Sequence, residues 1–213
     1  MRQIFLHGLG QGPESWEGVL SHLVDKPACP DLYAFFGGKE AAYQNLYRGF
    51  SDYCGGEKEP LALCGLSLGA VLSLHYALDH PERVGALLLA APQYKMPGGL
   101  LTVQNLIFRL MPAKAFGEMG LGKEEVIALT GSMKEIDLSP GLGDLACPTL
   151  ILCGERDRTN RKAALALAKA LPNARFREVK GAGHELNREA PEELAAIWTE
   201  CISLLFEKKE DHL

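Results

Sequence analysis

The chain has 213 residues, 47% of them hydrophobic, which suits one globular domain with a sizeable core. Its formal net charge of -5 offers no basic patch for nucleic acid, and no apolar stretch is long enough to span a bilayer. Neither nucleic acid nor a membrane is therefore expected as a partner.

Six cysteines are scattered without a Cys-x-x-Cys pair, and Ile4-Phe5-Leu6 is too short an apolar segment for a signal peptide. Reduced thiols packed as small hydrophobes in a cytoplasmic protein are the expectation.

Helical and strand signals alternate along the chain, as in a parallel sheet covered on both faces. Residues 2–6 read as a short buried strand running into His7-Gly8-Leu9-Gly10. Residues 13–24 place Trp16, Val19, Leu20 and Leu23 on one helical stripe that opens at a proline. Residues 28–35 read as a weaker strand closed by Gly37-Gly38, and residues 39–54 repeat Tyr43, Leu46, Tyr47 and Phe50 at helical spacing. A strand over residues 61–64 leads into Gly65-Leu66-Ser67-Leu68-Gly69 and then a helix-like run. Residues 83–91 form a near-continuous apolar strand buried on both faces.

Roughly 55 residues then precede the next strand, at residues 148–152, although a crossover needs only about a dozen. This insertion holds an apolar helical segment over residues 100–111 (Leu100, Val103, Leu106, Ile107, Leu110, Met111) and a second over residues 123–134. The first segment either packs on the main sheet or roofs a pocket. An alanine-rich helix over residues 160–171 and a strand over residues 174–179 follow. The last helix opens at Pro191 and buries Leu194, Ile197, Trp198, Cys201 and Leu205, ahead of a charged, frayed tail at residues 207–213.

Gly65-Leu66-Ser67-Leu68-Gly69, between a strand and a helix, has the form of a nucleophile elbow, in which a strained turn exposes a serine hydroxyl. With 23 glycines the pentapeptide arises by chance in roughly one such chain in ten. Its weight comes from Asp157, just past the strand at 148–152, and His184, just past the strand at 174–179. Ser, Asp and His in that order, each at the carboxyl end of a strand, fall on the edge where parallel sheets build active sites. Simpler roles remain open. Ser67 could be a helix N-cap, Asp157 could cap the helix after it with Glu155 as the acid, and His184 could be a solvated loop residue. His7 is expected to shape its loop, and His75 and His80 to be structural. Asn160 and Asn187 are candidates for holding the Asp157 and His184 loops together.

With His7-Gly8-Leu9-Gly10 after its first strand, the chain resembles the α/β-hydrolase superfamily over essentially its whole length. In motif content it is similar to the small MhpC-like and BioH-like serine esterases. The resemblance implies an α/β-hydrolase fold with a core over residues 1–92 and 146–213 and a small helical cap over residues 93–145. It makes Ser67 the nucleophile, Asp157 the acid and His184 the base, with oxyanion donors at the backbone of Leu9 and Leu68. Phe108, Met111, Phe116 and Met119 would line an apolar pocket. Relatives open with a β-hairpin that this chain lacks, so about six mostly parallel strands are expected. The implied activity is hydrolysis of a small-molecule ester or thioester, with no cofactor and no metal. C–C bond hydrolysis, lactone opening or a low-turnover ligand receptor are the alternatives on the same triad. Oligomeric state is not legible.

Overall fold

Five strands lie side by side in sequence order, all parallel: β1 (Arg2–Leu6), β2 (Leu61–Leu66), β3 (Val84–Ala90), β4 (Thr149–Gly154) and β5 (Ala174–Val179). The helices are α1 (Glu17–Ser21), α2 (Tyr43–Gly55), α3 (Leu68–Asp79), α4 (Gly98–Leu110), α5 (Lys123–Ser132), α6 (Arg158–Ala170), α7 (Leu186–Glu189) and α8 (Pro191–Glu210). The structure is a computed structural model that describes residues 1–96, 98–117 and 119–210, without the side chains of Leu100, Val103 and residues 204–210. The expected burial of Leu205 and residues 211–213 of the expected frayed tail lie outside what is described, whereas residues 207–210 continue α8.

Side-chain alternation along the strands divides the core in two. Ile4, Leu6, Leu61, Leu63, Leu87, Leu89 and Ile151 face α2, α3 and α6. Phe5, Ala62, Cys64, Leu66, Leu88, Ala90 and Leu152 face α1, α7 and α8. On that second face Phe5 stands between two indoles, with ring centroids 4.9 Å from Trp16 and 5.0 Å from Trp198. The Trp198 indole donates to Gln3 Oε1 at 2.7 Å, which ties α8 to β1. All six cysteines are free, with Cys64 and Cys153 buried in β2 and β4. Among the described residues no helix is long and apolar enough to cross a membrane.

The sheet has five strands where about six were expected, because residues 28–35 do not form one. Only Ala28 bridges β1, at Ile4, and Leu32–Phe36 is a 3-10 helix. Pro27 and Pro30 flank the bridge and carry no N–H to extend a ladder. Asp31 then caps the helix by accepting from the Tyr33 amide at 2.9 Å, and Gly37, at φ 57°, ends it. The helix expected over residues 13–24 is a 3-10 turn, Pro13–Trp16, followed by the short α1, with Trp16 and Val19 fully buried.

Between β3 and β4, α4 packs against α5, and α5 in turn against α2. The Tyr43 amide, at the start of α2, donates to Ser132 Oγ at the end of α5 at 2.8 Å. Leu106, Ile107 and Leu110 of α4 stand exposed, whereas Phe108 and Met111 are half-buried against the main core.

Candidate active site

Ser67 follows β2 and precedes α3 with φ 53° and ψ -108°, a left-handed conformation that L side chains avoid. The glycines on either side make this turn sterically feasible. A Cβ on Gly65 would lie 2.3 Å from the Gly69 carbonyl oxygen, and one on Gly69 would lie 2.1 Å from the Leu6 carbonyl oxygen. The Ser67 amide donates to Ala90 O at 2.9 Å, anchoring the turn to β3, and the hydroxyl makes no capping bond to α3. The helix-cap reading of Ser67 is thereby set aside. Ala91, at φ 49°, is the other non-glycine residue with positive φ among those described, and it too lies on the carboxyl edge of the sheet.

Asp157 and His184 meet at this edge. His184 Nδ1 lies 2.8 Å from Asp157 Oδ2, so Nδ1–H donates to the carboxylate and Nε2 is left free to accept. The loops approach closely because β4 ends in a glycine: a Cβ on Gly154 would sit 2.1 Å from the Gly183 carbonyl oxygen. Arg156 N donates to Ala182 O, and Gly183 N and Glu185 N both donate to the Glu189 carboxylate, so the histidine turn is pinned on both sides. Glu155, the other acid of this loop, accepts from Gly181 N and takes no part with His184.

Asp157 also caps α6, accepting from the Asn160 amide at 3.1 Å, so the capping role and the pairing with histidine coexist in one carboxylate. Asn160 Nδ2 adds contacts of 3.0 and 2.8 Å to its two oxygens. Burial pushes the Asp157 carboxyl up, but the bonds from His184 and Asn160 outweigh it and hold the group below the ordinary carboxylate value. Gln93 Nε2 in turn donates to Asn160 Oδ1 at 2.8 Å.

The loop after β1 supplies the remaining wall. Neither Leu9 N–H nor Leu68 N–H donates to another group among the described residues. His7 is fully buried: its Nδ1 donates to Gly8 O at 2.9 Å and its Nε2 accepts from Leu32 N at 3.0 Å. Burial lowers its pKa, and both ring nitrogens are committed, so its role is to shape the loop. Gly10 N donates to the Tyr33 hydroxyl at 2.8 Å. Gln11 and Asn187 exchange side-chain amide bonds at 3.0 and 3.4 Å across 176 residues of sequence. The histidine loop is thus held against β4 at Gly154 and tied to the β1 loop through Asn187.

Ser67 Oγ makes no hydrogen bond, to His184 or to any other group, among the described residues. Such bonds tighten when substrate arrives and are commonly long without it. Of the four residues expected to line a pocket, Met119 reaches the β1 loop, since a Cβ on Gly10 would lie 3.1 Å from its Cε. Phe116 is buried as core packing, edge-to-face with the half-buried Phe108 at 5.6 Å, and Met111 lies half-buried beside the core. Sequence reasoning missed Gln11, Tyr33 and Gln93, whose partners are remote in the chain and carry no motif. Among the described residues no three metal-ligating side chains come together.

A family model described as "Alpha/beta hydrolase family" matches residues 3–197. The chain belongs to that family. It is 23% identical to the monoacylglycerol lipase abhd6-B of Xenopus laevis, over 95% of this chain and 75% of that protein. Among solved structures, a carboxylesterase study of Nitrososphaera gargenis gives a TM-score of 0.83 at 18% identity, covering 97% of this chain and 92% of that one. An esterase from Thermogutta terrifontis gives 0.79 at 21% identity, covering 96% and 90%. These structural likenesses establish the alpha/beta hydrolase fold, here on a shortened sheet of five strands.

Proposed function

We propose that this alpha/beta hydrolase cleaves a carboxylic ester or thioester of a small, largely apolar acyl group through an acyl-enzyme on Ser67. The observation that carries the reading is Ser67, held at φ 53° on the carboxyl edge that also bears the Asp157–His184 pair. With Asp157 accepting from Nδ1, His184 Nε2 takes the Ser67 proton as Oγ attacks the carbonyl carbon, then returns it to the leaving group. Asp157 keeps the imidazole in this tautomer and stabilises the imidazolium. The unpaired N–H groups of Leu9 and Leu68 receive the charge that develops on the carbonyl oxygen, with the amino-terminal end of α3 beside them. Water repeats the sequence to free the acid. Met119, Phe108 and Met111 offer the acyl group an adaptable apolar lining, and six free cysteines suit the reducing cytoplasm.

The test is a panel of p-nitrophenyl esters of increasing acyl length, together with a fluorophosphonate probe. The reading expects stoichiometric labelling that disappears in Ser67→Ala, and turnover that peaks at short or medium acyl chains. A wild-type protein that neither labels nor turns over would instead be a ligand receptor built on this fold.

A further inference from the structure

Asp157 Oδ2 is approached by two donors, His184 Nδ1 and Asn160 Nδ2, each at 2.8 Å. Asn160 Nδ2 also lies 3.1 Å from His184 Nδ1. When Nδ1 carries its proton, that last contact sets two donors side by side, so the positive end of the amide dipole faces the imidazole. The amide cannot turn over to relieve this. Gln93 Nε2 donates to Asn160 Oδ1 at 2.8 Å, which fixes the oxygen outward and the NH2 inward. Asn160 is nearly buried, so water does not substitute readily for either bond. Gln93 stands two residues past Ala91, whose positive φ marks the point where the chain leaves β3 for the insertion.

We infer that Asn160, oriented by Gln93, is a positioning residue that divides the charge of Asp157 between itself and His184 and so sets the pH at which the histidine takes up a proton. A carboxylate that gives part of its charge to an amide attracts imidazolium less strongly, and the amide dipole at 3.1 Å disfavours imidazolium directly. Both effects act in one direction, against the imidazolium. The other charged groups around this corner are engaged elsewhere. Glu189 pairs with Arg156, Glu185 with Arg188, Arg161 with Glu178 and Lys95 with Asp137, while Glu155 accepts from Gly181 N. Arg158, at the first position of α6, is exposed. The inference rests on the hydrolase reading for its catalytic meaning, but its physical content does not.

The experiment therefore has two readouts. One is an NMR titration of the His184 imidazole, assigned by its loss in His184→Gln, in wild type, Asn160→Ala, Gln93→Ala and the double variant. The other is the pH profile of kcat/KM on a p-nitrophenyl ester. Asn160→Ala is expected to move the histidine midpoint, and the acid limb with it, about 0.5–1 pH unit upward. kcat should fall several-fold while KM stays within about twofold. Gln93→Ala should move the midpoint the same way by less, and the double variant no further than Asn160→Ala alone, because Gln93 acts through Asn160. An unmoved midpoint in a folded Asn160→Ala protein overturns the inference. Should that variant not fold, an unmoved midpoint in Gln93→Ala does the same. If wild type turns over no ester, the hydrolase reading fails, and the NMR titration still decides this one.

Discussion

Gly69, in the first turn of α3, approaches β1 so closely that a Cβ on it would lie 2.1 Å from the carbonyl oxygen of Leu6. The obstacle is backbone, so no side-chain rotation relieves it. Gly69→Ala should destabilise the fold by about 3 kcal/mol or more, since the helix must be pushed off the sheet. Gly143→Ala, where nothing lies within 4 Å of the new Cβ, is the control and should be near neutral. Urea denaturation of the two variants checks the pair.

The strain at Ser67 makes stability and activity separable. A residue other than glycine at φ 53° costs on the order of 1 kcal/mol, which glycine avoids. Ser67→Gly should therefore be more stable than Ser67→Ala by roughly that amount, while both lose ester turnover. Thermal melts beside activity assays measure this; equal stabilities would mean the strain is absent in solution.

Tyr33 supports the β1 loop without reaching the proposed reaction centre, because its hydroxyl accepts from Gly10 N at 2.8 Å. Tyr33→Phe should cost about 1 kcal/mol of stability, the usual net worth of one such bond. With Leu9 N–H as the proposed oxyanion donor, turnover should drop with little change in KM when the loop shifts. Steady-state kinetics would detect the split, and a pure KM effect would count against it.

Two groups give acid sensitivity in separate windows. His7 is held neutral by burial below its ordinary value of 6.5, so the stability from its two ring bonds is complete above that pH and drains away as pH falls through the lowered folded value. Between pH 7 and 5 the wild type should lose stability more steeply than His7→Asn. His75, lowered by burial as well, contributes equally to both proteins and cancels in the comparison.

Asp157 acts lower on the scale. Its carboxyl is depressed from 3.8, so the stability it contributes is present above that value and is lost as pH falls through the folded one. Asp157→Asn should show a flatter stability profile below pH 4, and at neutral pH about 10⁴-fold less turnover from loss of the correct tautomer. Denaturation at a series of pH values and ester kinetics check the two halves.

Local signals carried most of the fold. Apolar runs bounded by turns marked β1 to β4, helical stripes marked α2 and α8, alanine content marked α6, and Gly65-Leu66-Ser67-Leu68-Gly69 marked the strained turn. These are short-range properties, because the period of side chains and the steric demand of a turn are set within a few residues. The reading failed over residues 28–35, where the apolar content resembled a strand but two prolines and the Asp31 cap favoured a 3-10 helix.

Ser67, Asp157 and His184 were legible as a chain order and as strand ends on one edge, but not through the contacts that hold them there. Their meeting edge depends on parallel strands aligned in sequence order, on Gly154 admitting the histidine loop, and on Gln11 reaching Asn187 across 176 residues. Contacts of that separation leave no periodic trace, since nothing in the intervening chain has to repeat to make them. The amides around Asp157 are of the same kind. Composition and pattern determined the sheet and the residue types at its edge, whereas packing alone decided which polar groups would share one carboxylate.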